Sequence, residues 1–255
     1  MDPSERRRQV EIRRFGLITA AVSAFFWLLG AISQVELVAD GLPLSAGMFV
    51  APAVAVWATR SRAITPPLPT LRWPRWHRAL SFAGWTAVMP VVLACSFALT
   101  WVLDDDVPSR IGAGPAAVLG LCLVFAVSSG CEEIGYSRFL APALLARSSV
   151  LRVGLGIGTM WAALHVVPYL QAGRPWSWIA WQCAFTLAFR VLIVAVLARP
   201  PQSWGVAVAV HASYDVAWVL TPVGGSSYDP RYAASLTALA AALLVLSPAG
   251  RRSAT

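Results

Sequence analysis

The sequence predicts an all-α, polytopic transmembrane helix bundle of about eight helices, and three observations predict it. Runs of about 20 apolar residues recur along the chain, each long enough to cross a bilayer as a helix. The chain is 58% hydrophobic but only 13% charged, roughly half the charged share of an ordinary soluble domain. Its arginines stand mainly at the ends of the apolar runs rather than on one stripe. A soluble globular core would need shorter apolar segments flanked by amphipathic ones.

The expected spans are Phe15–Leu37, Leu42–Thr59, Ala79–Leu103, Ala113–Ser137, Val153–Leu170, Trp176–Ala198, Ser203–Leu220 and Tyr232–Leu246. Residues 1–14 read as a polar, basic cytoplasmic tail. The apolar run that follows is too long for a signal-peptide core and has no clear cleavage site, so it reads as a retained span. Residues 65–76, rich in Pro, Arg and Trp, read as an extended interfacial loop. Trp73, Trp76, Trp101, Trp176, Trp178 and Trp204 sit near span ends, where aromatic belts form.

The net charge is +8, and every basic residue is an arginine. Their places argue for membrane topology rather than for nucleic acid as a partner. With the N-terminus in the cytoplasm, the inner segments hold sixteen arginines: Arg6, Arg7, Arg8, Arg13, Arg14, Arg60, Arg62, Arg72, Arg75, Arg78, Arg138, Arg147, Arg152, Arg199, Arg251 and Arg252. The outer segments hold only Arg110, Arg174 and Arg231, beside the acids Asp104, Asp105 and Asp106. Inner loops carry the excess of positive charge, so both termini are expected in the cytoplasm. Cys95, Cys122, Cys131 and Cys183 lie within apolar runs without metal-ligand spacing and read as packing residues.

Ionisable side chains inside a bilayer are costly and mark function. Away from the span ends they are few: Glu132, Glu133, His165, Arg190, His211 and Asp215, on the fourth to seventh spans. Glu132 and Glu133 are adjacent and point about 100° apart on a helix. One can serve chemistry while the other makes a structural pair. His165 stands alone in W-A-A-L-H-V-V-P. His211 and Asp215 are four residues apart, on one helix face. That spacing suits a carboxylate orienting an imidazole, or two ligands to one metal.

Together these segments resemble the CAAX prenyl protease and bacteriocin-processing family of intramembrane proteases, the Abi family. Its pattern is E-E-x-x-x-R on one helix, F-x-x-x-H on the next, and H-x-x-x-N or H-x-x-x-D on a later one. This chain has Glu132-Glu133, then Trp161-x-x-x-His165 followed by Pro168, then His211-x-x-x-Asp215. The resemblance covers about residues 124–220, within a core of 113–220. Residues 15–112 form helices and loops before it, and residues 221–255 a last helix and tail. Two positions depart from the pattern: Ser137 holds the arginine's place, with Arg138 one residue late, and Trp161 replaces the aromatic Phe.

The resemblance implies an endopeptidase. Glu132 and His165 would activate a water, and His211 and Asp215 would stabilise the oxyanion. An ionised Asp215 cannot donate a hydrogen bond, so its expected part here is to orient His211. Glu133 needs a cation, and Arg138 or Arg190 can supply it, with Arg138 favoured as the local one. Zinc on Glu132, His165, His211 and Asp215 is one possible cofactor, and a metal-free glutamate mechanism is equally consistent. The implied partners are a peptide or a lipidated or membrane-anchored protein substrate and the lipid bilayer, with no nucleic acid. Two other classes remain open: a non-catalytic immunity or scaffold protein with the same fold, and a proton-coupled transporter, for which no internal repeat is evident.

Overall fold

In the computed structural model, residues 3–33, 36–38, 42–59, 75–104, 113–199, 202–220 and 228–247 are described. They form an all-α bundle of eight helices: α1 Pro3–Ile32, α2 Leu44–Thr59, α3 Arg75–Asp104, α4 Pro115–Leu145, α5 Val150–Gln171, α6 Trp176–Leu197, α7 Trp204–Leu220 and α8 Pro230–Leu246. A short antiparallel pair, Glu36–Val38 with Leu42–Pro43, links α1 to α2.

Helices α1, α3, α4, α5 and α6 are long and apolar enough to cross a membrane, while α2, α7 and α8 are shorter apolar helices. Of the eight expected spans, five are therefore helices long and apolar enough to cross. A helix of 17 residues, such as α7 or α8, stands at the lower limit for crossing about 30 Å of hydrocarbon. The outer surface agrees with a membrane setting. Leu17, Leu28, Trp57, Leu119, Leu123, Val127 and Leu243 are all more than half exposed, an apolar surface that a soluble monomer does not carry.

Three expectations are corrected. The basic segment 1–14 is not a separate tail, because α1 already begins at Pro3 and runs straight into the apolar stretch. The interfacial loop gives way to helix by Arg75 and Trp76, which open α3. Cys95 and Cys122 are exposed on the outer surface rather than packed inside. The rest of that loop, with Trp73, lies outside the described residues, as do Arg60, Arg62, Arg72, Asp105, Asp106, Arg110, Arg251 and Arg252.

Local signals account for several helix ends. Pro115 and Pro230 begin α4 and α8, where the missing N–H costs nothing. Ser149 caps α5, its side chain accepting from the Arg152 N–H, and Asp229 caps α8 through the Arg231 N–H. At the end of α5, Gly173 has φ +69°. The Gly173 and Arg174 N–H groups return to the Leu170 and Tyr169 carbonyls, a Schellman turn whose left-handed residue favours glycine.

Helix α6 is the centre of the bundle. Phe185 and the whole run Phe189–Leu197 are buried, and α6 packs against α5 on one side and α8 on another. Its approach to α5 depends on two glycines. A Cβ on Gly154 would stand 2.6 Å from the Val191 Cα, and one on Gly158 would stand 3.1 Å from the Leu187 Cα and 3.2 Å from the Arg190 Cβ. This Gly154-x-x-x-Gly158 face is the small-residue packing common between membrane helices.

Helix α4 widens to π geometry over Ile134–Leu140. The Ala141 N–H bonds to the Tyr136 carbonyl, five residues back. Pro142 comes next; it has no N–H to give the Arg138 carbonyl, and its ring would crowd that oxygen in an α-helix. The wider turn relieves this conflict. Gly135, within the widened segment, lets α1 and α2 come close: a Cβ there would be 2.4 Å from the Pro52 side chain and 3.0 Å from the Phe15 ring.

Candidate active site

Glu133 is the centre of the polar cluster. It sits on α4 at the edge of the π segment and is completely buried. Its two carboxylate oxygens lie 2.9 and 2.8 Å from the Arg190 Nη1, across to α6. The Ser137 hydroxyl donates to Oε2 from the next turn. The Nδ1 of His211, on α7, lies 2.9 Å from Oε1. One carboxylate thus ties three helices together.

Arg190 is also fully buried. Its Nε and Nη2 have no hydrogen-bond partner among the described residues. Aromatic rings flank the guanidinium instead, with its carbon 4.2 Å from the Trp161 ring centre and 5.0 Å from that of Tyr136. Cation–π contact stabilises a desolvated guanidinium without hydrogen bonds. Gly158 leaves the gap through which the Arg190 stem passes.

The expected local partner is not the one used. Arg138 is exposed and stands over the Trp204 ring, 5.4 Å from its centre. The π segment turns it outward, and Arg190 supplies the cation from another helix. Ser137, in the place where the family pattern has arginine, still serves Glu133 as a donor.

A cavity of about 500 Å³ opens beside this cluster, and Glu132, His165, His211 and Asp215 all line it. They come from α4, α5 and α7. Glu132 is buried, and its Oε2 has no hydrogen-bond partner among the described residues. The His165 Nδ1 lies 2.9 Å from the Trp161 carbonyl. A carbonyl only accepts, so Nδ1 carries the hydrogen, and in the neutral ring Nε2 holds the lone pair. The His211 Nε2 lies 3.7 Å from the Asp215 Oδ2, and Ser129 donates to that same oxygen at 3.0 Å. Trp161 packs edge-on against both histidines, its ring centre 5.4 Å from His165 and 5.0 Å from His211.

Glu132, Glu133, His165, Arg190, His211 and Asp215 therefore meet in one region, and Arg138 does not join them. Among the described residues, no group of three or more His, Cys, Asp or Glu side chains is arranged to hold one metal ion. His211 Nδ1 faces Glu133, His165 Nδ1 faces its own helix backbone, and Asp215 accepts from Ser129. The zinc set considered from the sequence does not assemble here.

Several residues of the site had no part in the sequence reading. Ser129 and Tyr136 carry no motif and are found only through their contacts. Gly154 and Gly158 did carry a signal, since Gly-x-x-x-Gly in an apolar run marks a close helix contact. Gln182 lines the cavity; it donates to the Tyr214 hydroxyl at 3.2 Å and accepts from that of Tyr228 at 2.8 Å.

The fold and site define a class: a helical membrane protein with an acid–histidine–arginine cluster buried beside an apolar cavity. No protein-family model matches the chain, and no curated protein matches it.

Proposed function

We propose that this chain is an intramembrane endopeptidase of the CAAX prenyl protease and bacteriocin-processing type. One observation carries the reading: Glu132, His165, His211 and Asp215, isolated in otherwise apolar helices, line one cavity. Intramembrane acids and histidines are costly to keep without a function. The order and spacing of the three motifs point the same way.

In this mechanism a water lies between Glu132 and His165. Glu132 takes its proton as the water oxygen attacks the scissile carbonyl carbon, and the His165 Nε2 lone pair orients the water. The carbonyl oxygen gains negative charge and is stabilised by His211. Glu133 holds the His211 ring through Nδ1, and Asp215 stands beside Nε2. When the C–N bond breaks, Glu132 returns its proton to the departing amine. No step requires a metal ion.

The substrate would be a membrane-anchored or lipidated peptide. Both termini would lie in the cytoplasm, as the sixteen arginines of the inner segments against three of the outer ones support.

The test compares new N-termini in membranes of cells making the wild-type chain or Glu132→Gln at equal levels. Proteolysis predicts a set of cleaved termini that is present with the wild type and missing with the variant. Identical sets would overturn the enzyme reading in favour of an immunity or scaffold role.

A further inference from the structure

We propose that the cavity is also a binding site for an anionic phospholipid, with the phosphate against Arg174 and one acyl chain along the apolar wall of α2 and α4. Binding itself does not depend on proteolysis. The argument begins with Arg174. It is the one arginine among the described residues that line the cavity. It takes part in no ion pair among the described residues. Its guanidinium carbon stands 5.1 Å from the centre of the Trp178 ring, a contact that leaves the in-plane N–H groups free for an anion.

The position is built rather than incidental. The left-handed Gly173 and the bond from the Arg174 N–H to the Tyr169 carbonyl hold the turn. Tyr169 and Trp178 line the same cavity. Trp176 and Trp181, on the first turns of α6, are 67% and 44% exposed. Exposed tryptophans at a span end lie at headgroup depth, where phosphates are found. A planar guanidinium matches a phosphate through paired N–H groups.

The rest of the cavity suits an acyl chain. Leu121, Val124, Phe125 and Ser128 follow one face of α4, and Phe49 faces them from α2. Val124 lines the cavity and is 60% exposed, beside the outward-facing Leu123 and Val127. The cavity wall and the bilayer surface thus meet at Val124, which offers a lateral way in. The polar lining residues Ser128, Ser129, Gln182 and Thr186 already have hydrogen-bond partners. An apolar chain along α4 therefore leaves the Ser128 and Ser129 hydroxyls matched. A chain bound along this wall would fill the space in front of Glu132 and His165 and exclude a peptide. That last consequence rests on the proposed proteolysis.

Native mass spectrometry of the full chain in detergent tests the site, with dioleoyl phosphatidylglycerol and dioleoyl phosphatidylcholine as probes. The wild type should retain phosphatidylglycerol more strongly. Arg174→Gln should weaken that retention about fivefold, the effect of losing one cation at headgroup depth, and Arg174→Lys should keep most of it. Arg152→Gln, an exposed arginine outside the cavity, should change nothing. Val124→Trp should reduce retention of both lipids by filling the wall while Arg174 remains. Equal retention of the two lipids, or an unaltered Arg174→Gln, would reduce Arg174 to an interfacial anchor and overturn the proposal. Binding of glycerol 3-phosphate as tight as that of the lipid would show a free-phosphate site and overturn the acyl-chain part.

Discussion

Arg190 on α6 and Glu133 on α4 form a fully buried ion pair in which one guanidinium nitrogen meets both carboxylate oxygens, at 2.9 and 2.8 Å. The pair joins two residues 57 apart in the chain, and Glu133 also meets the His211 Nδ1.

Removing one member leaves the other charge buried without compensation. Arg190→Leu should therefore destabilise the protein by about 3–5 kcal/mol. Thermal melting in detergent measures this. Adding Ser137→Arg restores the cation at the position of the family pattern and should recover part of the loss. A melting point unchanged in Arg190→Leu would remove the pair from any account of this fold.

The glycines of α5 allow a sharper contrast. Gly154→Ala puts a methyl group 2.6 Å from the Val191 backbone, and forcing α5 and α6 apart should cost about 1–3 kcal/mol. Gly156→Ala meets nothing within 4 Å, and the gain in helix propensity should leave it neutral or about 0.5–1 kcal/mol more stable. The melting point should fall for Gly154→Ala and should not fall for Gly156→Ala. If both fell alike, the close contact between α5 and α6 would be wrong.

Glu132 and Glu133 should differ in what their amides do. Glu132 has an oxygen without a partner among the described residues, so Glu132→Gln should leave stability unchanged while cutting the proposed proteolysis by about 10²–10⁴-fold. Glu133→Gln weakens contacts to Arg190, His211 and Ser137 at once, so it should lower the melting point. Stability and turnover measured on both variants decide this. Equal melting points for the two would contradict the division of roles.

Asp215 can be tested by restoring the other form of the motif. Asp215→Asn keeps a carbonyl oxygen for the Ser129 hydroxyl and adds an N–H donor towards the cavity. The proposed activity should stay within about tenfold of the wild type, whereas Asp215→Ala should lose more. An Asp215→Asn variant as weak as Asp215→Ala would mean that the negative charge itself is required.

Orientation is tested by reporter fusion. A reporter joined after Thr255 should be active only if it is a type that works in the cytoplasm. Labelling of the C-terminus from outside intact cells would reverse the orientation read from the arginines.

The sequence by itself determined the number of helices and the face on which each motif lies. Both follow from local physics. A long apolar run must satisfy its backbone internally and becomes a helix, and a spacing of four puts His211 and Asp215 on one side of α7. Because apolar helices conceal few reasons to carry charge, the isolated acids and histidines were also legible as one group. Helix ends were less so: α1 starts at Pro3 because arginines are good helix formers and do not end a helix.

Only the tertiary structure decided which cation serves Glu133. Sequence spacing favoured Arg138 as the local residue, but Pro142 forces the end of α4 into a wider turn, and Arg138 is left exposed over Trp204. Arg190 reaches the same carboxylate because Gly154 and Gly158 let α6 approach α5, and Trp161 and Tyr136 stand on either side of its guanidinium. Periodicity along one helix describes the neighbours on that helix. A pair between helices depends on how closely two backbones can come, and that distance is set by packing of the whole bundle.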